Sequence, residues 1–391
     1  MSPSVLDRSH LSDPSRAHRV VVKVGSSSLT DDAGRLDVDK LTALVDVLAA
    51  RRAAGGEVVL VSSGAIAAAL PILGLPGRPR DLATAQAAAS VGQGALIARY
   101  TRAFRGHGLR VGQVLLTAED VTRRGHYKNA QRALTRLLAL GVVPIVNEND
   151  TVATRELRFG DNDRLAALVS HLTHADALVL LTDVDALYDG PPSRAGAKRI
   201  PFVGDPAEIA GVEITARGSA VGTGGMVTKV EAAAIASAAG VPVVLTSAEN
   251  AAAALDGADV GTWFAPAPRR VQTRRLWIAH AADVRGRLTL DDGAVRAITA
   301  GKKSLLAAGV VAVAGEFEAG DPVELADLTG HVVARGLVAY SSEELPDRLG
   351  RTSEQLRAAF GDGHDREVVH RDDLVVLRGR IRRAGGVTSV G

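Results

Sequence analysis

Short, almost wholly apolar segments alternate with longer segments of helical spacing along the first two thirds of the chain. The first of them, residues 19–24, reads Arg-Val-Val-Val-Lys-Val and runs into a turn of glycine and serine. Strands that are apolar at successive positions are buried on both faces, which is typical of parallel sheets covered by helices. The alternation predicts an α/β domain with a largely parallel sheet. Predicted strands cover residues 19–24, 57–61, 111–116, 142–146, 177–181 and 241–245, and predicted helices cover residues 38–54, 83–105, 127–140, 164–174 and 226–239.

A glycine-rich segment, Gly222 to Lys229, opens the last of these helices and reads Gly-Thr-Gly-Gly-Met-Val-Thr-Lys. Glycines let backbone N–H groups face a ligand, and a helix start adds free donors and the positive end of its dipole. With a lysine on the first turn, these features predict a phosphate site. The pattern is not a Walker A motif, because a threonine precedes the lysine where that motif requires glycine. The residues expected to hold nucleotide phosphate are Thr223, Gly224, Gly225, Met226, Val227, Thr228 and Lys229.

A second lysine, Lys23, interrupts the first apolar strand just before Gly25 and Ser26. An unpaired buried charge is costly, so its ammonium must reach either an anion or solvent. One interpretation is a phosphate-binding lysine with backbone and serine donors beside it. The other is an edge lysine that extends its ammonium into solvent.

Amides and carboxylates follow the strand at residues 142–146 and begin the next helix. Asn147 and Asp150 belong to the first group, and Asp161, Asn162 and Asp163 form the second. Carboxylates can bind an ammonium group and amides can bind a carboxylate, so the first group suits a zwitterion, although a plain polar turn is an alternative. The second group could orient lysines, hold a metal-bound phosphate or simply cap the helix.

Two shorter motifs also follow strands. Ser62, Ser63 and Gly64 could hold a carboxylate or phosphate, or begin a helix. Thr182 and Asp183 could contact the base or ribose of a nucleotide, or cap a helix. In open α/β sheets ligands bind beyond the carboxyl ends of the strands, which is where these motifs fall. The histidines do not pair with carboxylates at metal-ligand spacing, so no protein metal site is predicted.

The composition limits the other possibilities. The 391 residues suffice for two or three domains, and the lack of cysteine excludes disulfides, thiolate metal sites and cysteine nucleophiles. A net charge of +2 is weak support for nucleic-acid binding. No apolar run approaches the roughly 18 residues of a membrane helix. Residues 1–18 are polar and lack an apolar core segment, so we expect a disordered extension and not a signal peptide.

The pattern changes near residue 265. Residues 266–275 are rich in proline and arginine at their start and are predicted to be a linker. Short alternating segments then predict a small, mostly antiparallel β domain over residues 276–362. The remainder, residues 363–391, ends in a basic, glycine-containing stretch and is predicted to be a tail.

In their order along residues 19–265, these motifs resemble the amino-acid kinase family, and within it the branch that phosphorylates glutamate. The β domain behind them resembles a PUA domain. A slight departure is Ser62, where the family commonly has threonine before Ser-Gly. The segments that carry the resemblance are residues 22–27, 61–66, 145–150, 160–163, 181–183 and 222–229.

The resemblance implies a three-layer α/β/α kinase domain that transfers phosphate from ATP to the side-chain carboxylate of L-glutamate, the first step toward proline, in the cytoplasm. It implies that Lys23 and Lys229 neutralise the transferred group, that Asp163 orients both lysines, and that Asp161 takes some part in catalysis. Mg²⁺ would bridge the phosphates. Glutamate would be bound by Ser63, Gly64, Asn147, Asp150 and Asn162, and ATP by Lys23, Gly25, Ser26, Thr182, Asp183 and residues 223–229.

The resemblance further implies feedback inhibition by proline and a homo-oligomer, either dimer or tetramer. Two other functions stay open at this point. The chain could be a different amino-acid kinase, acting on aspartate, acetylglutamate, carbamate or a nucleoside monophosphate. It could instead be an RNA-binding protein that acts through the PUA-like domain, although few aromatics and mixed charge make the RNA-binding signature weak.

Overall fold

A computed structural model describes residues 8–117, 119–121, 124–152, 162–192, 194, 196–205, 209, 225–267, 278, 284–361 and 366–377. The chain falls into two compact units, one within Met1–Arg270 and one within Val271–Arg380. None of the helices in the described ranges combines the length and apolar content needed to cross a bilayer.

The first unit is built on a sheet whose strands are β1 (Arg19–Val24), β2 (Glu57–Ser62), β3 (Arg110–Leu116), β4 (Val142–Glu148), β5 (Ala177–Thr182), β6 (Phe202–Val203), β7 (Val243–Ser247) and β8 (Thr262–Phe264). Their order across the sheet is β3-β4-β2-β1-β5-β7-β8-β6. Every neighbouring pair is parallel except β7 with β8. The largely parallel sheet predicted from the apolar segments is confirmed.

Helices cover both faces of this sheet. They are α1 (Val38–Ala53), α2 (Ala65–Leu73), α3 (Leu82–Gly106), α4 (Arg124–Ala139), α5 (Asn162–Leu172), α6 (Met226–Ala238) and α7 (Ala251–Leu255). Val20, Val22 and Val24 lie in the core that α1 and α3 cover. Because successive side chains of a strand alternate between faces, Lys23 points to the opposite face, where α5 packs against β1. This is the predicted three-layer arrangement.

The second unit contains strands β9 (Gly286–Leu290), β10 (Val310–Gly315), β11 (Pro322–Ala326), β12 (Val332–Leu337) and β13 (Leu374–Val376), with helices α8 (Asp292–Thr299) and α9 (Ser353–Phe360). The strand order is β10-β9-β11-β12-β13. The pairs are antiparallel except β9 with β11, which is parallel. The prediction of a small, mostly antiparallel β domain is confirmed.

The domain boundaries differ from the predicted ones at both ends. The assignment of residues 363–391 to a tail is wrong for residues 366–377, because β13 pairs with β12 and the side chains of Val368, Val369 and Leu374 lie in the core of the second unit. A strand of three residues is too short to show an alternating pattern in the sequence. Residues 378–391, like most of the predicted linker, lie outside the described residues.

At the other end, residues 8–17 belong to the first unit and are no disordered extension. Arg8–Ser12 forms a 3-10 turn, and Leu11 is buried in the main core. The guanidinium of Arg51, on α1, donates hydrogen bonds to the carbonyl oxygens of Leu11 and Ala17. Hydrogen bonds from a distant arginine to backbone carbonyls do not depend on the side chains of residues 8–17. The sequence of this segment therefore shows no pattern that predicts its order.

The close approach of α2 and α3 yields a matched pair of substitutions. A Cβ on Gly92 would lie 1.7 Å from the carbonyl oxygen of Ala65, whereas a Cβ on Gly94 of the same helix meets nothing within 4 Å. We expect Gly92→Ala to lower the free energy of unfolding by about 1–3 kcal/mol through overpacking. Gly94→Ala should raise it by roughly 0.5–1 kcal/mol through helix propensity. Urea unfolding of both variants tests this, and equal effects would contradict the close contact.

Candidate active site

Two lysines share one carboxylate at the centre of the first unit. The ammonium nitrogen of Lys23 lies 2.5 Å from one oxygen of Asp163, and that of Lys229 lies 3.2 Å from the other. The Asp163 side chain is wholly buried, and those of Lys23 and Lys229 are 3% and 10% exposed. The alternative of a Lys23 side chain that extends into solvent is therefore wrong.

Three elements bring these side chains together. Lys23 lies on the α5 side of β1, Asp163 on the first turn of α5, and Lys229 on the first turn of α6. An ion pair between Arg164 and Glu231, 2.6 Å long, also joins α5 to α6. The two helices are thus held against each other by two independent charge contacts.

Two ammonium groups meet at the single carboxylate of Asp163. A buried charge without a counter-ion is unfavourable, and electrostatic attraction is stronger in a site with little water. The arrangement is therefore complementary to an anion such as a phosphate group.

Amides and hydroxyls lie on one side of this cluster. The Nδ2 group of Asn162 donates to Ser63 Oγ at 2.9 Å and to Asn147 Oδ1 at 2.8 Å. The Oδ1 atom of Asn162 is buried and has no hydrogen-bond partner among the described residues, so it can accept from a bound ammonium or hydroxyl group. Asp150 is half-buried in the turn after β4. Gly64 precedes α2 with φ +105°, a conformation that favours glycine.

A second set of polar groups lies on the other side. Thr182 ends β5, and its hydroxyl donates to Asp183 Oδ1 at 2.8 Å. Gly25 follows β1, and a Cβ there would lie 3.5 Å from the ammonium nitrogen of Lys23. Ser26 comes next, and its carbonyl accepts from the N–H of Leu29 at 3.0 Å.

The start of α6 is the described part of the glycine-rich segment. Gly225 precedes the helix in an extended conformation, and its carbonyl accepts from the hydroxyl of Thr228 at 2.8 Å. Met226 and Val227 form the first turn together with Lys229. Asp161, Thr223 and Gly224, which the sequence analysis also singled out, lie outside the described residues.

The strand order separates the two sets. β2 and β4 lie on one side of β1, and β5 lies on the other. Ser63 follows β2, Asn147 is part of β4, and Thr182 is part of β5. After β4 the chain passes to the opposite side of β1 and forms β5 there. Open α/β sheets bind ligands where the strand order reverses in this way. Lys23 therefore lies between two halves of one site that carry different polar groups.

Sequence reasoning missed one buried polar contact next to this site. The hydroxyl of Tyr100, on α3, lies 2.8 Å from Ser62 Oγ. Ser62 was predicted as part of a ligand-binding or helix-capping motif and not as a partner of α3, and Tyr100 is one residue in a long alanine-rich helix. The contact could have been suspected from Gln93, which lies seven residues before Tyr100. Two polar side chains at this spacing lie on the same face of a helix.

Removing the shared carboxylate should destabilise the first unit. Asp163→Asn removes the carboxylate that both buried ammonium groups contact, and we expect a loss of about 3–5 kcal/mol in the free energy of unfolding. Asp46→Asn is the matched control, because Asp46 pairs with His107 at an exposed position and should change stability by less than about 1 kcal/mol. Chemical denaturation compares the two, and equal losses would contradict the buried charge cluster.

Comparison with known proteins identifies the chain's relatives. The sequence profile of the Amino acid kinase family matches residues 18–247, and that of the PUA domain matches residues 286–360. The Glutamate 5-kinase of Streptomyces coelicolor is 64% identical over 92% of this chain and 97% of its own length. The Glutamate 5-kinase of Thermobifida fusca is 62% identical over 93% and 94%.

Among solved structures, the carbamate kinase of Giardia lamblia bound to AMP-PNP aligns with a TM-score of 0.48 and 18% identity, over 64% of this chain and 99% of its own. The two profile matches agree with the fold and with the sequence motifs of the chain. The relatives named above, at 62–64% identity over more than nine tenths of the chain, agree with them as well. The chain belongs to the amino acid kinase family, and within it to the glutamate 5-kinases that carry a PUA domain.

Proposed function

We propose that this protein transfers the γ-phosphoryl group of ATP to the side-chain carboxylate of L-glutamate, giving L-glutamyl 5-phosphate. The observation that carries the proposal is the buried cluster of Lys23, Asp163 and Lys229, which lies between two halves of one site that carry different polar groups. Relatives at 62–64% identity that bear the name Glutamate 5-kinase support the choice of acceptor.

The acceptor needs no general base. A glutamate side chain has an ordinary pKa of about 4.3, so it is an ionised nucleophile at neutral pH. What remains is to align the carboxylate with the γ-phosphoryl group and to neutralise the charge on the transferred oxygens. Lys23 and Lys229 supply that positive charge, and Asp163 holds both ammonium groups in place.

The half formed by β2, β4 and the start of α5 would bind glutamate. In this proposal Asn162, Asn147, Ser63 and the Gly64 turn fix the orientation of the amino acid through hydrogen bonds, and the Asp150 carboxylate binds its ammonium group. The unpaired Oδ1 atom of Asn162 is one acceptor already in position.

The half formed by β5, the β1 turn and α6 would bind ATP. Thr182 and Asp183 would contact the nucleoside, and Gly25, Ser26 and the first turn of α6 would bind phosphate. We expect Mg²⁺ to be held mainly by the phosphate oxygens of ATP, because this ion is usually bound through substrate phosphates with one or two carboxylates and not by an all-protein cage. The ion supplies further charge neutralisation at the phosphates when bound.

An acceptor panel tests the proposal. ADP release is measured with Mg-ATP and, in turn, L-glutamate, L-aspartate, N-acetyl-L-glutamate and carbamate, and trapping with hydroxylamine identifies an acyl phosphate product. We expect turnover with L-glutamate and little with the others. A preference for another acceptor would assign the chain to a different amino-acid kinase activity. Lack of turnover with every acceptor, together with salt-dependent RNA binding, would favour the RNA-binding alternative.

The two lysines should matter for turnover. We expect Lys23→Met and Lys229→Met each to lower kcat by roughly 10²–10³-fold, the size found when one electrostatic donor to a transition state is removed. Lys303→Met, on the exposed surface of the second unit, is the control and should keep wild-type kcat. Circular dichroism confirms that each variant is folded. A folded variant with near-normal kcat would remove that lysine from the mechanism.

Three further properties stay predictions that come from the resemblance: inhibition by L-proline, assembly into a homo-oligomer and location in the cytoplasm. Adding L-proline to the glutamate assay addresses the first, and light scattering addresses the second. RNA binding by the second unit likewise stays untested.

A further inference from the structure

A buried tyrosine hydroxyl supports the turn that begins the acceptor half of the site. Tyr100, on α3, is fully buried, and its hydroxyl lies 2.8 Å from Ser62 Oγ. Ser62 Oγ in turn donates to the carbonyl oxygen of Ser63 at 2.9 Å. Because the single proton of Ser62 is used in that bond, the proton between the two hydroxyls comes from Tyr100. Burial raises the pKa of Tyr100 above its ordinary value, which keeps this donor protonated.

The turn that Tyr100 supports contacts Asn162 at two points. The Nδ2 group of Asn162 lies 3.3 Å from the carbonyl oxygen of Ser62 and 2.9 Å from Ser63 Oγ. A shift of this turn would therefore move the Asn162 amide. Asn162 is the residue before Asp163, so the acceptor half and the charge cluster share the first turn of α5.

Two polar groups, the Gln93 amide and the Tyr100 hydroxyl, lie on the otherwise apolar face of α3 that meets the sheet. Gln93 lies two helical turns before Tyr100, and both side chains line a narrow cavity together with Ser62 and Asn147. The Oε1 atom of Gln93 accepts from Gln113 at 3.2 Å, while its buried Nε2 group has no partner among the described residues. Buried polar groups cost free energy when they are left unpaired, so Gln93 and Tyr100 stand out from the buried apolar side chains of Leu96 and Phe104 on this face.

We propose that Tyr100 is a positioning residue for the phosphate acceptor, acting through Ser62 on the turn that holds the Asn162 amide. This inference rests on the proposed assignment of that half of the site to the acceptor. A positioning role can be distinguished from a purely structural one. The loss of a purely structural hydroxyl would lower stability and would not change KM for the acceptor relative to KM for ATP.

Tyr100→Phe removes the hydroxyl and keeps the ring, so it isolates the contact. We expect KM for glutamate to rise roughly three- to tenfold, the effect of one hydrogen bond, while KM for ATP stays within about twofold of wild type. Tyr340→Phe is the matched control. Tyr340 is a buried tyrosine of the second unit whose hydroxyl donates to the carbonyl oxygen of Arg366 at 3.0 Å, and its loss should leave both KM values unchanged.

A double-mutant cycle with Ser62→Ala tests the route. If Tyr100 acts through Ser62, the double variant should raise KM for glutamate no more than the worse single variant, because both substitutions break the same contact. Independent, additive effects would overturn the route through Ser62. A fall in melting temperature with unchanged KM for glutamate, or equal rises in KM for glutamate and ATP, would overturn the positioning role.

The wild-type protein is assayed first on the acceptor panel, and the KM comparison uses the acceptor that it phosphorylates. A different acceptor would contradict the proposed function and leave the test of Tyr100 intact. A wild type that phosphorylates none of the acceptors would overturn both proposals.

Discussion

The structure of the first unit depends on one buried carboxylate that holds two ammonium groups. Asp163 brings a side chain from the central strand and one from α6 to within 2.5 and 3.2 Å of its oxygens. Burying such charges is costly, and their mutual attraction only partly offsets the cost. Two ammonium groups that meet at one carboxylate favour the binding of an anion beside them. The arrangement is thus better explained by ligand binding than by stability.

Much of this could be predicted from the sequence, because the information is local. Strands that are apolar on both faces begin and end within about two residues of their predicted positions, as β1 and β5 show. The site motifs were found because polar residues directly after a buried strand stand out from their surroundings. Lys23 was conspicuous for the same reason, since a charge inside a valine-rich strand needs a specific explanation.

Contacts between distant parts of the chain could not be predicted. The link between Lys23 and Asp163, 140 residues later, came from the family resemblance and not from the residues around Lys23, and nothing in α3 indicates that Tyr100 reaches Ser62. The errors at the two ends have the same origin. Leu11 is fixed by a core and an arginine from elsewhere, and β13 by a neighbouring strand. Segments that gain their order from remote partners carry no periodicity of their own.

Phosphorylation of a carboxylate places unusual weight on positioning. The nucleophile is ionised without help, so no residue has to remove a proton, and the rate depends on how well two anions are aligned. In the proposed mechanism, Lys23 and Lys229 offset the charge repulsion between acceptor and phosphate, and the buried Asp163 carboxylate holds both ammonium groups. The acceptor must be held just as firmly, and the amides and hydroxyls that we propose for this role lie on a turn and at a helix start. If Tyr100 supports that turn through Ser62 as we propose, the catalytic demands of the site extend into the core of the domain.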